Sequence, residues 1–464
     1  MLPSALRHRL SPLIGVLVAA LTEQDPKNTA RRMALVAFVI RILSAAIAFL
    51  SQIILARLMG EFEYGIFVFV WVLVILFGNL SCVGFHSAVI RFLPEYQATS
   101  ALAEIRGLTT TARIFALMSA STLAIVGFLG LWLFADRIED YYLVPLYLGL
   151  FTLPMIALGD VMDGTARAHG WPLSAMSPTF IIRPLLVLGF MVLATTMGEP
   201  HTAPTAIAAA MAAAYVTTVS QFLALTWRLR SRYVSGPLRI EMGRWLKVAV
   251  PIFLIDGFGF LLTNSDVVIV GVYLKPDDVA VYFAAAKTMA LVHFVMFAVK
   301  AAAGPRIAGA MAARDRRQLA GIAVESARWA FWPSLMVGAA VLLAGPFLLS
   351  LFGPAFLGGL PLMAILFAGI MAKAFIGPAE ILLTMAGQQM LCVILYAGAL
   401  VANITLNLCL IPLFGLTGAA FATAGAMFVE AMLLHFAVRR TFGFALFAFA
   451  SGRSSHDNNG AIHP

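Results

Sequence analysis

Charge is scarce in this chain: Asp, Glu, Lys and Arg make up 11% of its 464 residues, against 61% hydrophobic residues and a mean hydropathy of +0.94. A water-soluble globule cannot be covered with so little polar surface. Cysteine is scarcer still. Cys82, Cys392 and Cys409 are odd in number and sit in apolar runs, where they read as small buried hydrophobes and exclude a disulfide framework. The chain has no Gly-Lys-Ser/Thr loop to cradle nucleotide phosphates, no paired Cys or His at metal-ligand spacing, and no nucleophile set beside a base. It therefore names no cofactor and no enzymatic chemistry. Long polar loops are missing too. The largest on the outward side offers Asp136, Arg137, Glu139 and Asp140, too little for the active site of a membrane glycosyltransferase or glycan polymerase.

What fills the chain instead is a series of apolar stretches, roughly twelve in number, each near the roughly 20 residues a helix needs to cross a bilayer. The first six cover residues 33–56, 64–90, 114–134, 142–161, 172–197 and 204–227, and the second six 248–273, 279–302, 330–352, 356–372, 390–413 and 417–437. The expected fold is an all-α integral membrane protein of about 12 transmembrane helices in two pseudo-symmetric six-helix bundles. These span 33–227 and 248–437, with a basic linker at 228–247, a cytoplasmic extension at 1–32 and a cytoplasmic tail at 438–464. The runs Leu13 to Leu21 and Thr441 to Ala450 are too short to cross.

The 31 Lys and Arg exceed the 22 Asp and Glu, for a net charge of +9. With the N-terminus inside, about 25 cations fall in segments on one face of the membrane, Lys300 and Lys373 among them, while about three, Arg57, Arg137 and Lys275, fall on the other. That asymmetry places both termini in the cytoplasm. The cations fix topology and meet anionic lipid heads, so they give no reason to expect a nucleic-acid partner.

A repeat is visible across the linker. Ile54, Ala56, Glu63, Gly65 and Phe67 match, 215 positions on, Ile269, Gly271, Asp278, Ala280 and Tyr282. Thr205-Ala206-Ile207-Ala208-Ala209-Ala210 similarly echoes Thr417-Gly418-Ala419-Ala420-Phe421-Ala422. An even number of spans per half sets the pseudo-twofold axis along the membrane normal and puts a binding site between the lobes.

The passages Ile53-Ile54-Leu55-Ala56-Arg57-Leu58-Met59-Gly60, Glu63-Tyr64-Gly65-Ile66-Phe67 and Ala88-Val89-Ile90-Arg91-Phe92-Leu93 carry a family pattern in the first half. In the second half it continues through Asn264-Ser265-Asp266-Val267-Val268-Ile269-Val270-Gly271, Val281-Tyr282, Asn403-Ile404-Thr405-Leu406-Asn407 and Leu410-Ile411-Pro412-Leu413-Phe414-Gly415. In these passages the chain resembles the polysaccharide transporter or O-antigen flippase family of the multidrug/oligosaccharidyl-lipid/polysaccharide (MOP) exporter superfamily. Ala280 departs from a common glycine, and an end after twelve spans disfavours the lipid II flippase branch. The resemblance implies a flippase of the bacterial inner membrane that moves a polyprenyl-diphosphate-linked glycan to the outer face by alternating access. Its partners would be membrane lipids, a glycan polymerase and glycosyltransferases of the same pathway. A multidrug antiporter of the superfamily is the rival reading, and a non-transporting scaffold a third.

An ionisable group inside a spanning helix is costly and usually faces a bundle interior or a water-filled cavity. Arg41 lies about 12 Å into the first helix, followed by Ser44, Ala45, Ala48 and Gln52 on one small and polar face expected to look into the cavity. Its guanidinium suits a diphosphate, or else snorkels to the interface as a helix-end Arg. The repeat maps Arg41 onto Asp256, which is expected to pair with it and to couple an ion once freed; the alternative is that Asp256 satisfies backbone opened by Pro251. Arg183, Lys287 and His293 complete the expected substrate set. Asp266 and Glu430 complete the ion-coupling set, with helix-end capping by Asp266 and pairing of Glu430 to a neighbouring helix as the bland alternatives.

Overall fold

The computed structural model describes residues 26–450 except 235 and 314, with side chains described from Leu43 onward. Ten helices among these residues are long and apolar enough to cross a membrane, and no strand occurs among them. The first lobe contains α1 (Pro26–Ser81), α2 (Phe85–Ala98), α3 (Leu102–Leu133), α4 (Asp140–Ala168), α5 (Pro172–Ser177), α6 (Arg183–Thr196) and α7 (Ala203–Arg232). The second contains α8 (Met242–Tyr273), α9 (Pro276–Met289), α10 (His293–Ala312), α11 (Arg316–Leu343), α12 (Gly345–Phe352), α13 (Leu360–Ile376), α14 (Ala379–Met385) and α15 (Gln389–Phe442). Large apolar side chains such as Met118, Trp132, Met197, Trp227 and Leu343 stand exposed on the outside, as lipid-facing residues must.

Two helices are too long for a single crossing. The 56 residues of α1 are interrupted at Gly60 (φ 77°, ψ 172°) and the 54 of α15 at Gly415 (φ 57°, ψ −135°), conformations that glycine adopts without a Cβ clash. The Gly60 break has its counterpart 215 positions on, at the extended residue Lys275 (φ −72°, ψ 159°) between α8 and α9. The sequence repeat and the helix breaks thus share one offset.

Of the prolines within the expected spans, Pro154 and Pro251 lie inside α4 and α8, Pro184 lies just beyond the π-helical turn Pro178–Ile182 that joins α5 and α6 into one span, and Pro346 and Pro361 stand at the first turns of α12 and α13. A missing N–H costs nothing in a first turn, so Pro346 and Pro361 begin helices instead of bending them. The connection between lobes is shorter than the basic composition suggests, because α7 continues to Arg232 and α8 begins at Met242. It is also tied down. Arg106 donates to the carbonyls of Val234 and Pro237, and Arg239 pairs with Glu104 and Glu241. Arg244 pairs with Glu95 and Glu241, and the Trp245 indole donates to the Tyr96 hydroxyl.

Gly443 to Ala450 folds back as a strap. Phe444, Leu446, Ala448 and Ala450 are buried, the Arg328 guanidinium donates to the carbonyls of Ala448 and Ala450, and Phe447 and Phe449 pack on Phe375.

The lobes touch along α1 against α8 and α9, and along α2 against α8. At the end of the molecule holding Gly60 and Lys275 the approach is backbone to backbone: a Cβ on Gly65 would stand 1.8 Å from the Pro276 carbonyl oxygen. There Arg57 donates to the last carbonyls of α12, on Ser350 and Leu351, satisfying acceptors that a helix end leaves open.

Candidate functional site

The bundle encloses two cavities, one walled mainly by the first lobe and closed by residues 290–300, the other walled entirely by the second lobe. That of the first lobe, about 660 Å³, is walled by Ser44, Ala45, Ala48, Ser51 and Gln52 of α1, by Phe67 and Trp71 beyond the Gly60 break, and by Phe180, Arg183 and Pro184. The small and polar face of the first helix therefore opens into a cavity as its periodicity predicts. The Arg41 side chain lies outside the described residues. The cavity of the second lobe, about 600 Å³, is walled by Asp256 and Asp266 of α8, Lys287, Lys300 of α10, Lys373 of α13, Glu380 of α14, and Tyr396, Thr423 and Glu430 of α15. His293 and Lys300 line both cavities, at the bend where a 3₁₀ turn, Ala290–Val292, separates α9 from α10.

Two of the lysines are anchored by elements that sequence distance hides. The Lys300 ammonium meets Glu380 at 2.6 Å, and Lys373 meets both oxygens of Glu430, at 2.8 and 2.9 Å. Glu430 is thus held by a neighbouring helix. The charge tally counts Lys300 and Lys373 on the cytoplasmic face, but α10 runs on to Ala312 and α13 to Ile376, so both lysines stay on helices that wall the cavity. Lys300 lies within the 279–302 stretch and follows His293 by seven residues, so the helical face through His293 would have found it.

Asp266 is buried, accepting from the Tyr282 hydroxyl at 2.7 Å and from the backbone N–H of Val267. Tyr282 also meets Thr423 at 2.9 Å, and Ser265 donates to Asn403. These residues on α8, α9 and α15 form two buried hydrogen-bonded groups, Asp266–Tyr282–Thr423 and Ser265–Asn403. Asp256 is accessible from the cavity, accepts from Ser87 at 2.9 Å and lies 3.6 Å from His86 Nε2, both on α2 of the other lobe. Lys287 reaches over the Phe283 ring, 5.0 Å from its centroid, and His293 stands within electrostatic reach of Lys287, Lys300 and Lys373.

Arg183 is buried in the first lobe, where its Nε contacts Thr217 at 3.5 Å and its charge faces Asp160 and Asp163. These two carboxylates, three residues apart on one face of α4, complete a network that the sequence reading missed. Asn79 donates to Asp160, while Gln221 and Thr179 donate to Asp163. Its signal was present in the i, i+3 spacing of two acids beside a spanning stretch. Glu63, acidic in the repeat motif, accepts from the backbone N–H of Ala203 at 2.6 Å and so caps the start of α7, where a negative charge is favoured.

Among solved structures, the fold is similar to that of an inward-facing multidrug resistance MATE transporter of the MOP superfamily (17% identity, TM-score 0.70, covering 86% of this chain and 94% of that one). A MOP superfamily transporter from Pyrococcus furiosus, described as having a binding pocket of reversed polarity, aligns at 18% identity and TM-score 0.63 over 92% of this chain and 97% of that one. The lipid II flippase MurJ in an inward closed conformation aligns at 14% identity and TM-score 0.70 over 87% of each chain. No curated protein sequence matches the chain significantly. A family model described as "Polysaccharide biosynthesis protein" matches residues 30–311, which take in the whole first lobe, both breaks of the repeat and the bend at His293. The chain therefore belongs to the polysaccharide biosynthesis protein family and has the fold of the MOP-superfamily transporters.

Proposed function

We propose that this protein carries a polyprenyl-diphosphate-linked oligosaccharide from the cytoplasmic to the outer leaflet of the cell membrane by alternating access. The observation that carries this reading is the first-lobe cavity: its described ionisable lining residues are Arg183, Lys300 and His293, with no carboxylate among them, set among the aromatic walls of Phe67, Trp71, Phe180, Phe294 and Phe297. Cations within an apolar, aromatic enclosure suit an anionic head attached to a sugar and a lipid. Reading each of the two broken helices as two crossings gives twelve spans, with Arg57 and the Gly65–Pro276 contact sealing the outer side. Substrate then enters from the cytoplasm, and rocking of one lobe against the other opens the sealed end. Arg41, Arg183, Lys287 and His293 would meet the substrate, and Asp256, Asp266 and Glu430 would couple ion movement to the cycle.

The rival reading, a multidrug antiporter, takes support from the four carboxylates of the second cavity, Asp256, Asp266, Glu380 and Glu430. Each of them already has a partner in this structure. One experiment separates the readings: reconstitution into liposomes with a fluorescent polyprenyl-diphosphate oligosaccharide and, in parallel, a cationic dye. Lipid that becomes accessible from the opposite leaflet supports the flippase; movement of the dye with an immobile lipid overturns it.

A further inference from the structure

The two lysine–glutamate pairs of the second cavity are unusual for charges within a transmembrane bundle, because they open onto empty space. Lys300 and Glu380 expose 37% and 35% of their side chains, and Lys373 exposes 33%, all toward a cavity of about 600 Å³; only Glu430, at 7%, is buried. The pairs also form one unit. The Tyr396 hydroxyl lines the same cavity within electrostatic reach of Glu380 and Glu430, and Lys373 acts on Glu380 as well as on its own partner. Each pair bridges two helices, α10 to α14 and α13 to α15, so neither is set by local sequence.

Building on the flippase reading, we propose that Lys300 and Lys373 form the diphosphate-binding site, and that Glu380 and Glu430 are internal counterions which the diphosphate displaces. A lysine ammonium is a compact charge with three donors on a flexible stem, able to swing between acceptors where a forked guanidinium would be held by geometry. A glutamate offers it one negative charge. A diphosphate offers more than one, spread over oxygens that two ammonium groups can share. The same carboxylates keep two cations from standing unpaired in the membrane when the site holds no substrate, a condition that is costly for a buried charge. The more open pair, Lys300–Glu380, exchanges first. Because Lys300 also lines the first-lobe cavity, an anion held there has its two substituents directed into two differently walled spaces.

The sign of the counterion effect tests this. Inorganic pyrophosphate is titrated calorimetrically into the full chain in lipid nanodiscs. Lys300→Gln and Lys373→Gln should each weaken binding about tenfold or more. Glu380→Gln, which frees Lys300 from its competitor, should tighten it by about the same factor. The charge-swapped double variant Lys300→Glu/Glu380→Lys keeps the pair and a cation in the cavity; it should melt like the wild type and retain binding, which controls for misfolding. Unchanged affinity in the lysine variants, or weaker binding in Glu380→Gln, overturns the proposal. The liposome assay separates this outcome from failure of the functional reading. Lipid-linked glycan moved at the wild-type rate by Lys300→Gln rejects the site and leaves the flippase standing, whereas an inert wild type with the expected pyrophosphate pattern rejects the flippase and leaves an anion site.

Discussion

Asp163 accepts from Gln221 at 2.7 Å and from Thr179 at 3.0 Å, so Asp163→Ala strands two donors inside the first lobe. An unmade buried hydrogen bond costs about 1–3 kcal/mol, and thermal unfolding in detergent should show a loss of that order, smaller for Asp163→Asn because the amide oxygen still accepts. His169, between the spans formed by α4 and by α5–α6, gives a pH dependence. Burial holds its ring below the usual imidazole range, outweighing the Thr165 carbonyl that favours the charged form, and Arg232 and Arg113 lower it further. The folded state thus resists protonation, so stability is full at neutral pH and declines as pH falls through the ordinary imidazole value of about 6.5. In His169→Gln that part of the decline should vanish from melting curves taken between pH 7.5 and 5.5.

At the scale of the element, the helix breaks and the glycine seam decide what can move. Gly60→Ala places a Cβ on a left-handed residue, a strain of about 1–3 kcal/mol, and should lower the melting temperature although nothing crowds the added atom. Gly65→Val acts otherwise. Its Cβ would collide with the Pro276 carbonyl, so the seam must open. Spin labels at the exposed positions Phe62 and Leu357 should then read a longer distance by double electron–electron resonance than in the parent, and a similar lengthening is expected in Arg57→Ala, which frees the end of α12. Much of this level was legible in the residues. Small and polar side chains at i, i+3, i+4 and i+7 placed the α1 face, and the 215-residue offset marked where the helices break. The partners were not legible. Lys300 and Glu380 are 80 positions apart and Ser87 and Asp256 are 169 apart, and no periodicity encodes which helix a side chain will meet.

For the whole molecule, orientation is the property that charge counting alone supplies, and under the proposed flippase function it would set the direction of transport. The connector between α7 and α8 carries a test: Val234 is exposed, so Val234→Cys in intact cells should resist a membrane-impermeant maleimide and react once the membrane is permeabilised. Labelling without permeabilisation would reverse the assigned topology. The composition announced a membrane protein, yet reading each lobe's cavity required the bundle itself, because the wall residues come from several helices far apart in sequence. The strap from Gly443 to Ala450 has a practical corollary. Because Arg328 and the Phe375 cluster use its backbone and rings as building material, a truncation that removes the strap should destabilise the second lobe. A stop codon after Phe442 removes the whole strap and should give low yield and aggregation on size-exclusion chromatography, while one after Ala450 keeps every contact described for the second lobe.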